Sequence, residues 1–274
     1  MKFKYFGTAA AECWPGLFCS CDNCKRAKKA GGKNIRTRSQ ALVNDDLLID
    51  LPPDTYFHVI NYGLDLTKVK HMIITHSHDD HFYAPDLHRT YPPFAYNENR
   101  ENIPLINIYG NESINSHAKY FENFKDILCF HEVRAFEKFN IDGYAITPLK
   151  ADHDYSQNCL LYIIDDGKNS IFYANDTGYF PEETWDYLQN IDIKFDFVSL
   201  DTTNIMINSR QGHMGINGCC DVKKRLIEIG AADDKTIFCF HHFSHNGGKI
   251  YDELVPIADE IGFLVSYDGM ELDI

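Results

Sequence analysis

The sequence predicts an α/β (α+β) fold in which two packed sheets carry helices on their outer faces. Three observations predict it. Short apolar runs of strand length, rich in Ile, Val, Phe and Tyr, recur along the chain. Two gaps between them, Asn44-Asp45-Asp46 and Asp165-Asp166-Gly167-Lys168, have the composition of hairpin turns. Helical patterns are fewer and fall mainly in the second half, so the sheets must supply the core and the helices its covers. The chain has 274 residues, 44% hydrophobic and 24% charged, which is ordinary for a globular protein with a sizeable core. No repeat or low-complexity linker divides it, and 1–274 reads as one domain.

The strands follow in order. Residues 2–6 open the chain, and 40–43 and 47–51 pair around the first turn. Residues 71–75, 105–109 and 145–149 come next, then 159–164 and 170–174 around the second turn, and finally 195–200, 236–241 and 262–267. The helices are 115–124, 181–189 and 217–229. Pro181 followed by two glutamates makes a good helix start. In the last helix, Val222, Leu226 and Ile229 recur at helical spacing before Gly230 ends it. Two segments fit neither pattern: 86–104, rich in Asn, Pro and Tyr, and 201–217, with Gly212 and Gly215. Long irregular loops of this kind are expected to carry a site.

Bulk properties exclude some function classes. A net charge of −14 argues against a large nucleic-acid partner, because phosphate neutralisation needs clustered Lys and Arg. No window approaches a membrane span and no signal peptide is visible, so no membrane partner and a cytoplasmic location are expected. A homodimer is compatible with the sequence. Nine cysteines, an odd number, with no secretory signal read as metal ligands or core residues rather than a disulfide framework.

The chemistry concentrates in two stretches. Thr75-His76-Ser77-His78-Asp79-Asp80-His81 follows an apolar strand and holds three imidazoles and two carboxylates. These are the usual ligands of Zn, Mn and Fe ions. His76 and His78, two apart in a turn, can converge on one ion, and Asp80 and His81 can face another. Cys19, Cys21 and Cys24 have C-x-C-x-x-C spacing in an N-terminal loop at 13–25. Three thiolates need a fourth ligand to close a tetrahedral structural zinc site, and Cys13 or a distant histidine could supply it. The C-terminal run His241-His242-Phe243-Ser244-His245 offers such histidines.

The H-x-H-x-D-H motif after an apolar strand resembles the metallo-β-lactamase superfamily. The superfamily's other motifs appear in its order: Asp50 ending an earlier strand, His153 in KADHDY, Asp176 in FYANDTG, and His241 or His242 in FCFHHFSH. The resemblance implies a four-layer αββα sandwich and a pair of divalent ions, Zn, Mn or Fe. It implies that His76, His78 and His153 hold one ion, that Asp80, His81 and His242 hold the other, that Asp176 bridges them and that Asp50 orients a ligand. Gly7-Thr8, Ala11, Pro15, the cysteine motif and His242-Phe243-Ser244-His245 narrow the resemblance to the branch containing the phosphoribosyl cyclic phosphodiesterase of bacterial phosphonate breakdown. That branch implies that Cys19, Cys21, Cys24 and His245 hold one structural zinc.

The activity so implied is metal-dependent hydrolysis of a small cyclic or nucleotide-like phosphodiester, such as a phosphoribosyl cyclic phosphate, by a hydroxide shared between two ions about 3.5–4 Å apart. Asp80 and His213 are the expected catalytic residues, with His213, in Gly212-His213, near the substrate phosphate. Arg210 is expected at the phosphate, with Tyr91, Phe94 or Tyr96 walling the pocket. The alternatives are a transfer-RNA 3′-processing nuclease, which would need a basic arm that the sequence lacks, a lactonase or thioesterase on the same ligands, and a non-catalytic cofactor carrier.

Overall fold

The computed structural model describes residues 1–96 and 105–274. The end of the polar segment 86–104 therefore lies outside the described residues. The first half forms α1 (Asp22–Ala30), α2 (Thr55–Tyr62) and the short α3 (Glu112–Asn115) around strands β1 (Lys2–Gly7), β2 (Gln40–Val43), β3 (Leu47–Ile49), β4 (His71–Ile73), β5 (Ile106–Gly110) and β6 (Leu128–Glu132). The second half forms β7 (Phe139–Ile141), β8 (Tyr144–Lys150), β9 (Leu160–Asp165), β10 (Ser170–Ala174), β11 (Phe197–Asp201), β12 (Ile237–His241) and β13 (Leu264–Val265), with α4 (Glu182–Asn190), α5 (Ile216–Glu228) and α6 (Tyr251–Glu260). The last strand, β14 (Glu271–Asp273), returns to the first sheet beside β1.

Each sheet has seven strands, ordered β14-β1-β2-β3-β4-β5-β6 and β13-β12-β11-β10-β9-β8-β7. The expected hairpins β2–β3 and β9–β10 are antiparallel, whereas β3–β4–β5–β6 and β10–β11–β12–β13 run parallel. Alternation assigns the faces. Along β9, Leu160, Tyr162 and Ile164 enter the core between the sheets, and Leu161 and Ile163 face the helical side. Both faces are buried, which is why these strands read as continuous apolar runs. Trp185 and Leu188 of α4, Val222 and Leu226 of α5, and Leu254 and Ala258 of α6 pack on the outer face of the second sheet. Leu48, Met72 and Ile108 of the first sheet meet Leu64, Val69, Leu87 and Phe121 on its own outer face. This is the four-layer αββα arrangement.

The helix expected over 115–124 is a correction. Only Glu112–Asn115 is α-helical, and Ser116–Tyr120 and Glu122–Phe124 are 3₁₀ turns. The Ser116 hydroxyl donates to the Ser113 carbonyl at 2.7 Å, a local bond that competes with the helical ladder. Phe121 and Phe124 recur at spacing three, which suits a 3₁₀ turn better than an α-helix. Among the described residues no helix is long and apolar enough to cross a membrane.

Three strand exits near one end of the sandwich share an unusual backbone. Asp50 after β3, Asp176 after β10 and His242 after β12 have φ of 65°, 62° and 61°. The left-handed region is costly for residues other than glycine and tends to mark functional sites. Here each turn takes a side chain off the strand's alternation and aims it at a common point.

Candidate metal centre

That point is a cluster of buried imidazoles and carboxylates. The loop after β4 brings His76, His78, Asp80 and His81, the loop after β8 brings His153, and the exits of β10 and β12 bring Asp176 and His242. His78 Nδ1 lies 2.9 Å from His76 Nε2 and 3.3 Å from His153 Nε2. His81 Nε2 lies 3.3 Å from Asp80 Oδ2 and 3.3 Å from His242 Nε2. Asp176 stands between the two groups, with Oδ2 at 3.0 Å from His81 Nε2, 3.4 Å from His76 Nε2 and 3.6 Å from His242 Nε2. The two ligand sets and the bridging aspartate expected from the resemblance are thus brought together.

The outer nitrogen of every imidazole is engaged by oxygen. His81 Nδ1 meets Asp50 Oδ2 at 2.7 Å, and His78 Nε2 meets Asp154 Oδ2 at 3.2 Å. His76 Nδ1 meets the Thr75 hydroxyl at 3.0 Å, His242 Nδ1 the Thr203 hydroxyl at 2.8 Å, and His153 Nδ1 the Gly212 carbonyl at 3.3 Å. If the outer nitrogens carry the protons, the inner ones turn lone pairs toward one another and toward Asp176, an arrangement that a cation relieves. Asp176 Oδ1 is buried and receives no hydrogen bond. The residues present therefore fit a pair of divalent ions.

The electrostatics agree. Burial alone would strip the proton from His81, but Asp80 and Asp50 outweigh it and hold the imidazole well above its ordinary range. Burial also raises Asp176, yet His242 and His81 overcome it and keep the carboxylate ionised. His76, buried beside His81, is pushed well down and stays neutral. A divalent ion would take the place of the proton on His81.

Asp50, fully buried, accepts from the Thr75 N–H at 2.8 Å while holding His81. Thr203 does the same work for His242: its hydroxyl touches His242 Nδ1, the His242 carbonyl at 2.7 Å and Asp201 Oδ2 at 3.2 Å. Thr203→Val should weaken binding of one ion about 10- to 100-fold, as loss of such supports does elsewhere. A competitive chelator titration reads this directly, and unchanged affinity would remove Thr203 from the site.

Asp201 was missed in the sequence. It ends β11 with no exposed surface, accepts from the Thr203 and Met214 N–H groups at 3.0 and 3.1 Å, and lies 3.0 Å from His213 Nδ1. The available signal was the one used for Asp50, an aspartate at the end of an apolar strand. His213 is brought in by its loop and also lies 3.1 Å from Asp176 Oδ1. Burial lowers His213, but Asp201, by charge and hydrogen bond, raises it to about 9. Asp176, Asp201, His213 and His242 could also be read as a ligand set. A protonated His213 between two carboxylates accounts for the same contacts without an ion.

Arg210 is not brought to the cluster. Its guanidinium pairs with Asp221 and lies over the Tyr179 ring, 5.5 Å from the centroid. Of the expected aromatic wall, one residue packs away from the cluster. Tyr91 packs edge-on against Phe124 at 5.8 Å, toward the outer face of the first sheet, and Phe94 and Tyr96 are exposed. His241, the other candidate in its motif, is buried between the Ser39 and Ser266 hydroxyls, at 2.8 and 3.0 Å, beneath the site.

A second cluster sits beside the first. Cys19, Cys21, Cys24 and His245 converge, with His245 Nδ1 at 3.5 Å from Cys21 Sγ and 3.9 Å from Cys19 Sγ. Cys13 is not among them, because its thiol faces Asp54 Oδ2 at 3.6 Å. Cys21 caps α1 and accepts from the Cys24 N–H at 3.4 Å, which lowers its thiol to about 7. Three thiols and one imidazole suit a tetrahedral structural zinc.

Comparison with known proteins places this architecture. A family described as a β-lactamase superfamily domain matches residues 48–242, more than two thirds of the chain. The chain belongs to that superfamily, and with its buried His/Asp cluster it is a metal-dependent hydrolase of the metallo-β-lactamase type. A search of curated protein sequences returns no match. Among solved structures, zinc-bound PqqB from Methylobacterium extorquens superimposes with a TM-score of 0.74 at 17% identity, covering 100% of both chains. A diphosphatase of the PhnP family gives 0.73 at 18% identity, covering 100% of this chain and 97% of that one. Human tRNase Z, short form, gives 0.68 at 16% identity, covering 100% and 99%. At these identities the likeness concerns the fold.

Proposed function

We propose that the protein is a phosphodiesterase acting on a small phosphodiester. The observation that carries this reading is the Asp201–His213 pair beside Asp176. It places an imidazole, 30% exposed and held by a buried carboxylate, at the edge of a site that fits two ions. Two divalent ions, when bound, would make a water nucleophilic near neutral pH and draw charge from a phosphoryl group. The chain's own residues do the rest. Asp50 and Thr203 fix the His81 and His242 rings, and Asp176 sets the spacing of the two ligand sets. Asp201 holds His213 with its proton on, and His213 donates that proton to the departing alkoxide oxygen. A protein of net charge −14 repels a polyanion, so a substrate with one phosphate suits it better than RNA.

The test compares leaving groups. A p-nitrophenolate departs without a proton, whereas an alkoxide needs one. His213→Gln should slow an alkyl phosphodiester about 100-fold or more while slowing bis(p-nitrophenyl) phosphate far less. Wild-type turnover of the alkyl ester should fall on the alkaline side, at or below pH 9, as His213 loses its proton. Rapid turnover of lactones or thioesters with no phosphodiester hydrolysis would overturn the reading.

A further inference from the structure

Helix α2 inverts the usual helix pattern. A surface helix turns its apolar stripe inward. The two residues that α2 fully buries are Thr55 and His58, while Tyr56, Phe57 and Ile60 are 72%, 40% and 61% exposed. Burying polar groups is costly unless each finds a partner, and here both find the same one. Gln40, at the start of β2 and fully buried, donates through Nε2 to the Thr55 hydroxyl at 3.0 Å, and its Oε1 lies 2.6 Å from His58 Nδ1. The same Nε2 donates to the Asp50 backbone carbonyl at 3.0 Å. Asp50 is the residue whose left-handed turn aims a carboxylate at His81.

Hydrogen-bond chemistry fixes the protons along this path. The Asp50 carbonyl can only accept, so the Gln40 nitrogen faces it and the Gln40 oxygen faces His58. That oxygen can only accept as well, so His58 carries a proton on Nδ1 whether the ring is neutral or charged. The other ring nitrogen, Nε2, lies 2.7 Å from the Thr37 hydroxyl, and that hydroxyl lies 2.6 Å from Asp268 Oδ2. The second Asp268 oxygen accepts from the Thr8 hydroxyl at 2.6 Å, and the Thr8 carbonyl accepts from the N–H of Phe243, next to His242, at 2.9 Å. From one carboxyl, then, hydrogen bonds run toward both of the left-handed turns that present the His81 and His242 rings.

We propose that Gln40 and His58 are positioning residues of the metal centre: His58 holds the Gln40 amide, Gln40 holds the Asp50 turn, and the turn fixes the His81 ring for its ion. The inference goes beyond the phosphodiesterase reading and does not depend on it, because it concerns ion binding whatever the substrate. It also explains why α2 spends its buried face on polar side chains. A residue that orients a ligand's support works only if it is itself held rigidly.

The test is titration of the cobalt-loaded full chain with a competing chelator. Cobalt is the probe because thiolate ligation adds a near-ultraviolet band that tells the cysteine quartet from the His/Asp centre. Gln40→Met keeps the length of the side chain and removes both polar atoms. It should weaken at least one ion of the His/Asp centre about ten-fold or more, the usual loss when such a support is removed. His58→Leu should do the same, whereas His58→Asn, whose amide can donate from the place of Nδ1, should stay near wild type. Binding at the cysteine quartet should be unchanged in all three. A role confined to packing α2 would lower the melting temperature and leave these affinities alone. Unchanged His/Asp affinity in Gln40→Met or His58→Leu, an equal loss at the cysteine quartet, or a His58→Asn chain as weak as His58→Leu overturns the proposal. The wild-type chain gives a check that needs no variant. Nitrogen NMR should find His58 protonated at Nδ1, and an unprotonated Nδ1 overturns the path through Gln40.

Discussion

Asp176→Asn is expected to cost roughly a thousandfold or more in kcat/KM, because the ions it helps to hold supply several kcal/mol of transition-state stabilisation. The substitution is chosen to spare the fold. Asparagine has nearly the shape of aspartate and tolerates the left-handed φ of 62° found there. What it lacks is the charge. Asp176 Oδ2 stands within 3.6 Å of three imidazole nitrogens from two different ligand sets, and its Oδ1, though 3.1 Å from His213 Nδ1, receives no well-aligned hydrogen bond. An amide in that place would turn an N–H toward lone pairs or a cation. Elemental analysis should therefore show the His/Asp ions depleted while the ion at the cysteine quartet stays. Full metal content with full activity in Asp176→Asn would remove Asp176 from the centre of the site.

How such a site could be read in advance depends on how local it is. His76, His78, Asp80 and His81 lie within six residues, and their chemistry is visible without any fold. His153, Asp176 and His242 are isolated polar residues in sequence. Only the superfamily's order of motifs singled them out, and it is the strand exits that bring them to one place. Asp201 had neither advantage, since it stands alone after an apolar run and its partner His213 comes twelve positions later. The left-handed turns at Asp50, Asp176 and His242 leave no sequence mark, because the residues carrying them are those the site needs and not glycines.

The fold shows the same division. The central strands were legible because both of their faces are buried. β6, β7 and β14 were not, since they lie at sheet edges, where β6 and β7 mix exposed with buried positions and β14 buries none. α1 buries only Cys24 and Ala27, so it has no apolar stripe to recognise. α6 carries Pro256 in its interior, which reads as a helix breaker. Arg210 was a plausible phosphate ligand by loop and charge alone, but Asp221 on α5 lies within its reach and takes its guanidinium.

Cys24→Ser is expected to release one zinc per chain and to lower the melting temperature by several degrees, at roughly 2–4 °C for each kcal/mol in a chain of this size. The fall should be smaller than the loss of folding seen when zinc is removed from a zinc finger. The Cys loop has other anchors here: the Asn23 amide donates to the His245 carbonyl at 2.7 Å, and Arg26 pairs with Glu253. The metal matters because His245 shares a short loop with His242, and the Ser244 N–H in that loop donates to the Thr203 carbonyl at 3.2 Å. Losing the zinc should therefore also loosen the His/Asp ions, whereas Cys13→Ser, with its thiol turned to Asp54, should change neither. Proton competition gives an independent check. Near neutral pH the Cys21 thiol, lowered to about 7, yields its proton readily, while burial holds Cys24 up to about 12, so zinc must displace the Cys24 proton on binding. Zinc affinity should consequently weaken as the pH falls through 7 and below, in a chromogenic chelator assay. Zinc retained in Cys24→Ser, or an affinity indifferent to pH, would show that the cysteines are not its ligands.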